Sequence, residues 1–158
     1  MSIFNNNAKR EEIVKLLTQA YWMEIETVMN YIACSIDLDG VRAEEIKKSL
    51  AADVTEELSH AQLFGKRIKT LYGTVPGSGD FKPTQSFLEP PKDQTDVAAV
   101  IKGVIQAEKG AIEHYSKIIE VCAEADPVTA DMITTILADE EDHMRTFEGY
   151  LKEYETKK

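Results

Sequence analysis

A Glu-x-x-His motif occurs twice in this chain, once in each half. Glu57 and His60 form the first copy, and Glu140 and His143 form the second. On an α-helix, residues three apart lie on the same face, so both side chains of one copy can reach a single metal ion. Mixed carboxylate and imidazole ligands suit iron or manganese better than a metal that prefers thiolates. The repeated motif therefore predicts a metal site built from two similar halves.

Each copy of the motif is preceded by a matching glutamate and tyrosine. Glu24 lies upstream of the first copy and Glu108 upstream of the second, and a tyrosine, Tyr31 or Tyr115, follows each glutamate seven residues later. Two interpretations of the tyrosines stay open. They are core side chains with satisfied hydroxyl groups, or they surround the metal ligands and hydrogen-bond them or donate an electron. Four carboxylates and two imidazoles form the ligand set of a two-metal site, and the predicted metal ligands are Glu24, Glu57, His60, Glu108, Glu140 and His143.

Long segments with helical periodicity account for most of the chain. Apolar residues recur every three or four positions in four stretches, and we predict helices over about residues 8–37, 43–72, 96–124 and 127–155. The segment 73–95 contains four of the five prolines and no helical pattern, and it is long enough to run the length of a helix. The prediction is an all-α, single domain over residues 1–158, a four-helix bundle with a long crossover between helices 2 and 3.

The predicted ligands lie in phase with the apolar stripes of these helices. Glu24 falls between Leu17 and Val28 at helical spacing, and Glu57 falls in the same way after Val54. A carboxylate on a core face is costly to bury unless it is protonated, paired or bound to a metal. Four such carboxylates in one core would repel one another, and a pair of divalent cations would relieve that repulsion.

Other charged residues near the motifs are predicted to lie outside the site. Their phase places Glu56, Glu141 and Asp142 on a solvated face, and it takes Glu26, Glu113 and His114 away from the inward side. We expect His114 to be a surface histidine, with an accessory role near the metals as the alternative.

The first predicted helix carries a second apolar stripe on its outer side. Because a helix at the surface of a monomer normally has one apolar face, the second face predicts contact with another subunit. We therefore expect a homo-oligomer, at least a dimer, formed through Trp22, Ile25, Met29 and Ile32.

Composition and charge exclude several classes of function. A net charge of −10 argues against binding to a nucleic-acid backbone, which requires clustered Lys and Arg. No apolar run is long enough to span a membrane, and the N-terminal residues lack the apolar stretch of a signal peptide, so we expect a cytoplasmic protein. The two cysteines, Cys34 and Cys122, are predicted to lie far apart and to form no disulfide bond.

At these residues the chain resembles the ferritin-like di-iron carboxylate family, and bacterioferritin most of all. In that family two helices each provide a glutamate, and the other two each provide a Glu-x-x-His motif. The resemblance is carried by residues 24–31 and 137–143 and extends over about residues 8–155. It implies two iron ions per subunit, with manganese as the alternative metal. The implied assignment gives Glu57 and Glu140 to both irons, Glu24 with His60 to one, and Glu108 with His143 to the other.

The resemblance implies a ferroxidase that oxidises Fe(II) with O2 or H2O2, for iron storage or for removal of peroxide. Leu58 stands where the haem-binding relatives carry methionine, so no haem is expected. The chain after His143 is too short to add the fifth helix of the cage-forming relatives, which leaves a storage cage or a dimer open. The alternatives are a rubrerythrin-like di-iron peroxidase, in which iron is a fixed cofactor, and a metal-free helical interaction module.

Overall fold

The structure, a computed structural model that describes residues 2–156, contains four long α-helices. Helix α1 spans Asn7–Asp37, α2 spans Glu44–Thr70, α3 spans Val97–Cys122 and α4 spans Pro127–Thr156. Single turns of 3₁₀-helix occur in the connections, and the described residues contain no β-strand. The short connections make α1 and α2 one helical hairpin and α3 and α4 a second. The predicted all-α four-helix bundle is confirmed.

Local sequence explains where three of the helices begin. The side chains of Asn6, Asp96 and Asp126 accept hydrogen bonds from backbone N–H groups in the first turns of α1, α3 and α4, each at 3.1 Å. Such side chains satisfy donors that have no partner inside the helix. Pro127 occupies the first position of α4, where its missing N–H costs nothing. Asp126 is also held by Arg67 of α2, whose Nη2 donates to Oδ1 at 2.7 Å.

Helix α2 ends against α1 at a glycine. Tyr72 takes a positive φ of 63°, and the next N–H, that of Gly73, donates to the Ile68 carbonyl at 2.9 Å. A Cβ at Gly73 would lie 2.7 Å from Cγ1 of Val14. Glycine is therefore required here for close approach of the chain to α1, while Tyr72 provides the left-handed turn.

The crossover between α2 and α3 runs along α1. It leaves α2 beside Val14 and advances in step with α1 toward its C-terminal end. The contacts that mark this path are the Phe81 ring at 5.2 Å from that of Trp22, the Leu88 carbonyl at 3.5 Å from Sγ of Cys34, and the Gln94 carbonyl, which accepts from the Asp39 N–H at 2.8 Å. The crossover thus follows α1 along most of its length and also packs against α3, where a Cβ at Gly103 would meet Leu88.

The apolar core consists of two clusters with a polar layer between them. One cluster includes Leu17, Phe64 and Ile136, and the other includes Leu50 and Ile101 together with further residues of all four helices. The buried glutamates and histidines of the repeated motifs occupy the middle. Cys34 and Cys122 belong to different clusters and are both buried free thiols.

The second apolar stripe of α1 is only partly exposed within one chain. Met29 and Ile32 are 49% and 43% exposed, and Ile36 farther along is 74% exposed. Trp22 and Ile25 are half-buried, and the Phe81 ring of the crossover packs against Trp22. Among residues 2–156, no helix is both long and apolar enough to cross a membrane.

Candidate metal centre

The six side chains predicted as metal ligands meet in the polar layer at the middle of the bundle. Each of the four helices contributes, and the oxygen and nitrogen atoms form two groups, each within 4.8 Å of one another. The two groups share two members, Glu57 and Glu140. The first group is Glu24, Glu57, His60 and Glu140, and the second is Glu57, Glu108, Glu140 and His143.

Each imidazole directs its Nδ1 atom at the carboxylates of its own group. Nδ1 of His60 lies 2.9 Å from Glu140, 3.6 Å from Glu57 and 3.8 Å from Glu24. Nδ1 of His143 lies 3.0 Å from Glu57, 3.6 Å from Glu140 and 3.7 Å from Glu108. The Nδ1 atom of each histidine therefore lies closest to the glutamate of the other Glu-x-x-His motif, and the two motifs interlock across α2 and α4.

Four buried atoms of this layer form no hydrogen bond of acceptable geometry among the described residues, although they lie in two close pairs, His60 with Glu140 at 2.9 Å and His143 with Glu57 at 3.0 Å. They are Oε1 of Glu57, Nδ1 of His60, Oε1 of Glu140 and Nδ1 of His143. Because an unsatisfied buried polar atom costs about 1–3 kcal/mol, four of them at one place require an explanation. When the imidazoles are deprotonated, lone pairs of carboxylates and imidazoles converge here, so the donor set fits two divalent cations with oxygen and nitrogen ligands.

The four glutamates differ in their affinity for protons. Burial, and then the interactions with Glu57 and Glu140 respectively, raise the pKa of Glu24 and the pKa of Glu108 well above the usual range. Burial also favours the neutral form of Glu57 and Glu140, but contacts with neighbouring side chains, including both imidazoles, outweigh it and lower the pKa of each. The two shared glutamates are thus the anionic ones.

The two imidazoles carry protons when no metal is bound. Burial alone would lower their pKa values, but close contacts with Glu140 and Glu57 raise the pKa of His60 to about 10 and that of His143 to about 12. Since metal ligands must be deprotonated, a metal ion entering the site has to displace protons from both histidines.

Each of the two tyrosines forms a hydrogen bond with a glutamate that belongs to only one ligand group, Glu108 or Glu24, and each bond joins the two halves of the chain. The hydroxyl of Tyr31 donates to Oε1 of Glu108 at 2.7 Å, and the hydroxyl of Tyr115 donates to Oε1 of Glu24. Both tyrosines are fully buried. Of the two interpretations left open, the arrangement favours tyrosines that hold the ligands, because each hydroxyl group meets a carboxylate of the opposite half.

Two further carboxylates hold the outer nitrogen atoms of the imidazoles. Nε2 of His60 lies 3.0 Å from Oδ2 of Asp139, and Nε2 of His143 lies 2.9 Å from Oε2 of Glu56. Such outer partners fix the orientation of a metal-binding imidazole. Glu56 is partly exposed, in line with the solvated face predicted for it, but its contact with His143 was not predicted, and Asp139 was missed. The sequence did contain an indication of these contacts, because the residue before the glutamate is acidic in both Glu-x-x-His motifs.

His114 is placed differently from the prediction, whereas Glu26 lies off the inward side as predicted and is nevertheless buried. His114 is buried, and its Nε2 lies 2.9 Å from the carbonyl oxygen of Leu16 on α1; because a carbonyl only accepts, this nitrogen carries the proton. Burial lowers the pKa of this imidazole. Glu26 is buried beneath the crossover, where the backbone N–H of Thr84 donates to it at 2.8 Å. A surface position for His114 was wrong because packing of α3 on α1 covers it.

Comparison with known proteins shows which family this chain belongs to. The family model described as Ferritin: Ferritin-like domain matches residues 14–156. Bacterioferritin from Desulfovibrio desulfuricans is 26% identical over 146 residues, which cover 92% of this chain and 77% of that protein. The DNA protection during starvation protein from Pyrococcus furiosus is 27% identical over 144 residues, covering 89% of this chain and 77% of that one.

Solved structures share the fold. A ferritin-like, diiron-carboxylate protein from Bacillus anthracis superposes with a TM-score of 0.80 at 21% identity, covering 90% of this chain and 97% of that one. The D. desulfuricans bacterioferritin, whose structure is described with its diiron site in different catalytic states, gives 0.80 at 23% identity, covering 96% and 84%. A dodecameric thioferritin from Bacteroides fragilis gives 0.80 at 24% identity, covering 93% and 88%.

Proposed function

The chain belongs to the ferritin family of ferritin-like domains, and we propose that it is a di-iron ferroxidase. It binds two Fe(II) ions per subunit and oxidises them with O2 or H2O2. The observation that carries this proposal is the pair of overlapping ligand groups that share Glu57 and Glu140. A shared carboxylate keeps two cations close together, which a two-electron oxidation of paired Fe(II) requires.

The proposed ligand roles follow the two groups. Glu24 and His60 hold one iron, Glu108 and His143 hold the other, and Glu57 and Glu140 contact both. The layer is buried, and once its glutamates are deprotonated by metal binding their negative charge favours Fe(III) over Fe(II). With H2O2, two Fe(II) ions give two electrons, and one H2O2 molecule with two protons becomes two water molecules. With O2, the same two electrons and two protons give H2O2.

Titration with Fe(II) under O2 or H2O2 tests the proposal. Protein prepared without metal and loaded anaerobically should bind two Fe(II) ions per subunit, and addition of oxidant should oxidise both at a rate well above that of free Fe(II). Mn(II) should compete for the same two sites, since it accepts the same ligands. A protein that binds no Fe(II), or that binds it without accelerating its oxidation, would be a helical bundle with another role.

A second candidate function is a rubrerythrin-like peroxidase in which the two irons are never released. The outer contacts of both imidazoles with Asp139 and Glu56 favour this candidate, because a ligand that is held from behind retains its metal more firmly. Repeated additions of Fe(II) and oxidant separate the two functions. A ferroxidase for iron storage takes up many irons per assembly, whereas a peroxidase retains two per subunit and consumes H2O2 only with an electron donor.

The proposal also covers the oligomeric state and the cofactors of the protein. We expect a homo-oligomer, at least a dimer, because Met29 and Ile32 leave apolar surface exposed on α1, and the B. fragilis relative is described as dodecameric. Haem is not part of the proposed function, since Leu58 offers no atom that could bind it. A cytoplasmic location stays a prediction.

A further inference from the structure

A groove of about 690 Å³ lies between α1, α3 and the crossover, on the side of the bundle away from the outer imidazole nitrogens. At its inner end is a much smaller cavity of about 10 Å³, which touches the glutamates of the metal centre. That volume accommodates about one water molecule, so a molecule of two heavy atoms is near the limit. The groove and the cavity share three lining residues, which form the partition between them: Met23, Gln85 and Ala107.

Gln85 is the polar residue of this partition and the one supplied by the crossover. It is only 6% exposed. Its Nε2 donates to Oγ1 of Thr27 at 2.8 Å, and its Oε1 accepts from Nδ2 of Asn30 at 3.1 Å. Both partners lie on α1, so the amide is held across the end of the groove. Deleting this side chain would join the groove to the cavity beside the glutamates.

The backbone at Gln85 is fixed by a buried carboxylate that takes no part in the metal centre. Glu26 accepts hydrogen bonds from the N–H of Gln85 at 2.8 Å and from the N–H and hydroxyl of Thr84 at 2.8 Å and 3.1 Å. Such charge-assisted bonds are stronger than neutral ones. Glu26 therefore anchors the crossover to α1 at the position where Gln85 closes the groove.

The charges on the two sides of the metal centre differ. Asp139 and Glu56 lie beside the outer imidazole nitrogens, with Asp53 3.9 Å from His143; this α2–α4 side is acidic and attracts cations. The partition on the α1–α3 side carries no charge, since it consists of the Gln85 amide, the Met23 thioether and the Ala107 methyl group. A neutral oxidant gains nothing from the acidic side and meets no charge at the partition.

We propose that Gln85 is the gate through which a small neutral oxidant passes from the groove to the metal centre, and that it selects the oxidant by size. O2 and H2O2 pass when the amide shifts, and alkyl hydroperoxides are excluded. This inference rests on the proposed function. A larger hydroperoxide that gained access would undergo the same two-electron reaction, in which ROOH, two Fe(II) and two protons give ROH, water and two Fe(III).

The experiment compares H2O2 with tert-butyl hydroperoxide on protein loaded anaerobically with Fe(II). The variants are Gln85→Ala, which removes the bulk, and Gln85→Leu, which keeps most of the bulk without the amide. Gln106→Ala is the matched control, because Gln106 lines the groove but not the partition. We expect Gln85→Ala to raise the rate with tert-butyl hydroperoxide, relative to that with H2O2, at least tenfold. Gln106→Ala and Gln85→Leu should keep the wild-type ratio.

Two further measurements, Fe(II) binding and nitric oxide association, involve no oxidation of iron and complement the oxidation rates. The Fe(II) binding isotherm should be the same in wild type and Gln85→Ala, since Gln85 contacts no predicted ligand. The association rate of nitric oxide, a neutral diatomic probe of bound Fe(II), should rise in Gln85→Ala and stay unchanged in Gln106→Ala. An unchanged hydroperoxide ratio in Gln85→Ala overturns the gate and leaves the ferroxidase standing. Wild-type protein whose bound Fe(II) resists H2O2 overturns the proposed function instead.

Discussion

Tyr115 on α3 donates its hydroxyl hydrogen bond to Glu24 on α1, although Glu108 lies on its own helix. Tyr31 makes the reciprocal contact with Glu108. Each half of the chain therefore supplies the tyrosine that holds Glu24 or Glu108 of the other half. This crossing joins the two helical hairpins at the metal centre, in addition to the apolar packing on either side of it.

The crossed contact predicts a specific effect of Tyr115→Phe. Loss of the hydroxyl leaves Glu24 without this partner, which should lower the free energy of unfolding by about 1–3 kcal/mol. It should also weaken binding of the metal at Glu24 and His60 by about tenfold. Denaturant unfolding and Mn(II) titration measure the two effects. The control is Tyr21→Phe, at a half-buried tyrosine that packs against Trp22. Equal metal affinity in Tyr115→Phe and wild type would contradict a role in holding Glu24.

Glu57 and Glu140 are predicted to be indispensable, because both belong to both ligand groups. The double variant Glu57→Ala/Glu140→Ala should bind neither iron firmly, and its rate of Fe(II) oxidation should fall at least 100-fold, to that of free Fe(II). Stopped-flow absorbance after oxidant addition measures the rate. Glu45→Ala, on the exposed part of α2, is the matched control and should retain full activity. Full activity in the double variant would show that the site assignment is wrong.

Helical phase explains why the buried cluster of glutamates and histidines could be predicted from the sequence and its surroundings could not. Glu24 and Glu57 interrupt apolar stripes, and a charged residue in such a stripe marks a buried position whatever its partners are. Glu26 is buried for a different reason, since its partners are the backbone groups of Thr84 and Gln85. These lie in the crossover, which has no periodicity, so no pattern in the sequence specified where it would meet α1.

The contacts of the two carboxylates behind the imidazoles were also hard to predict from the sequence, although one sequence feature indicated them. Glu56 and Asp139 are partly exposed and lie about 100° around the helix from the inward glutamates, so phase alone assigns them to solvent. Each meets a histidine of the opposite motif, and that contact depends on how closely α2 approaches α4. The acidic residue before each motif was the one sequence signal for it.

Asp139→Asn and Glu56→Gln should each weaken one half of the metal centre. Either change replaces a carboxylate behind an imidazole by a neutral amide, and we expect metal affinity to fall by about 10- to 100-fold. Asp139→Asn should affect the site that contains His60, and Glu56→Gln the site that contains His143. Calorimetric titration with Zn(II), which undergoes no oxidation, measures both sites.

Asp142→Asn is the matched control for these two variants, because Asp142 lies within the second motif but is exposed. It should leave both affinities at the wild-type values. If Asp139→Asn and Asp142→Asn behaved alike, the contacts behind the imidazoles would have no function in metal binding.

The exposed apolar residues of α1 predict the result of placing charge on that face. Met29→Glu/Ile32→Glu should dissociate the oligomer, because a carboxylate buried in an apolar interface has no partner. Light scattering after size exclusion should then give the mass of one chain, 17.7 kDa. Val41→Glu is the control, since Val41 is 92% exposed and lies outside the stripe. A double variant with the wild-type mass would place the subunit interface elsewhere.

His114 predicts a dependence of stability on pH that is separate from the metal centre. Its pKa is lowered in the folded protein by burial, with a further contribution from Lys117, whereas the unfolded chain binds the proton near pH 6.5. Below that pH the unfolded state holds more protons than the folded state, so the free energy of unfolding falls as the pH falls, by at most about 1.4 kcal/mol per pH unit from this group. Above pH 7 the contribution vanishes.

His114→Gln isolates this effect, because glutamine can still donate to the Leu16 carbonyl but does not titrate. Urea unfolding at pH 7.5, 6.5 and 5.5, with a chelator present to exclude metal, gives the difference in unfolding free energy between variant and wild type. Other titrating groups cancel in that difference. We expect the wild type to lose stability relative to His114→Gln as the pH falls through 6.5. A difference that does not change with pH would mean that the buried imidazole accepts a proton in the folded state as readily as in the unfolded chain.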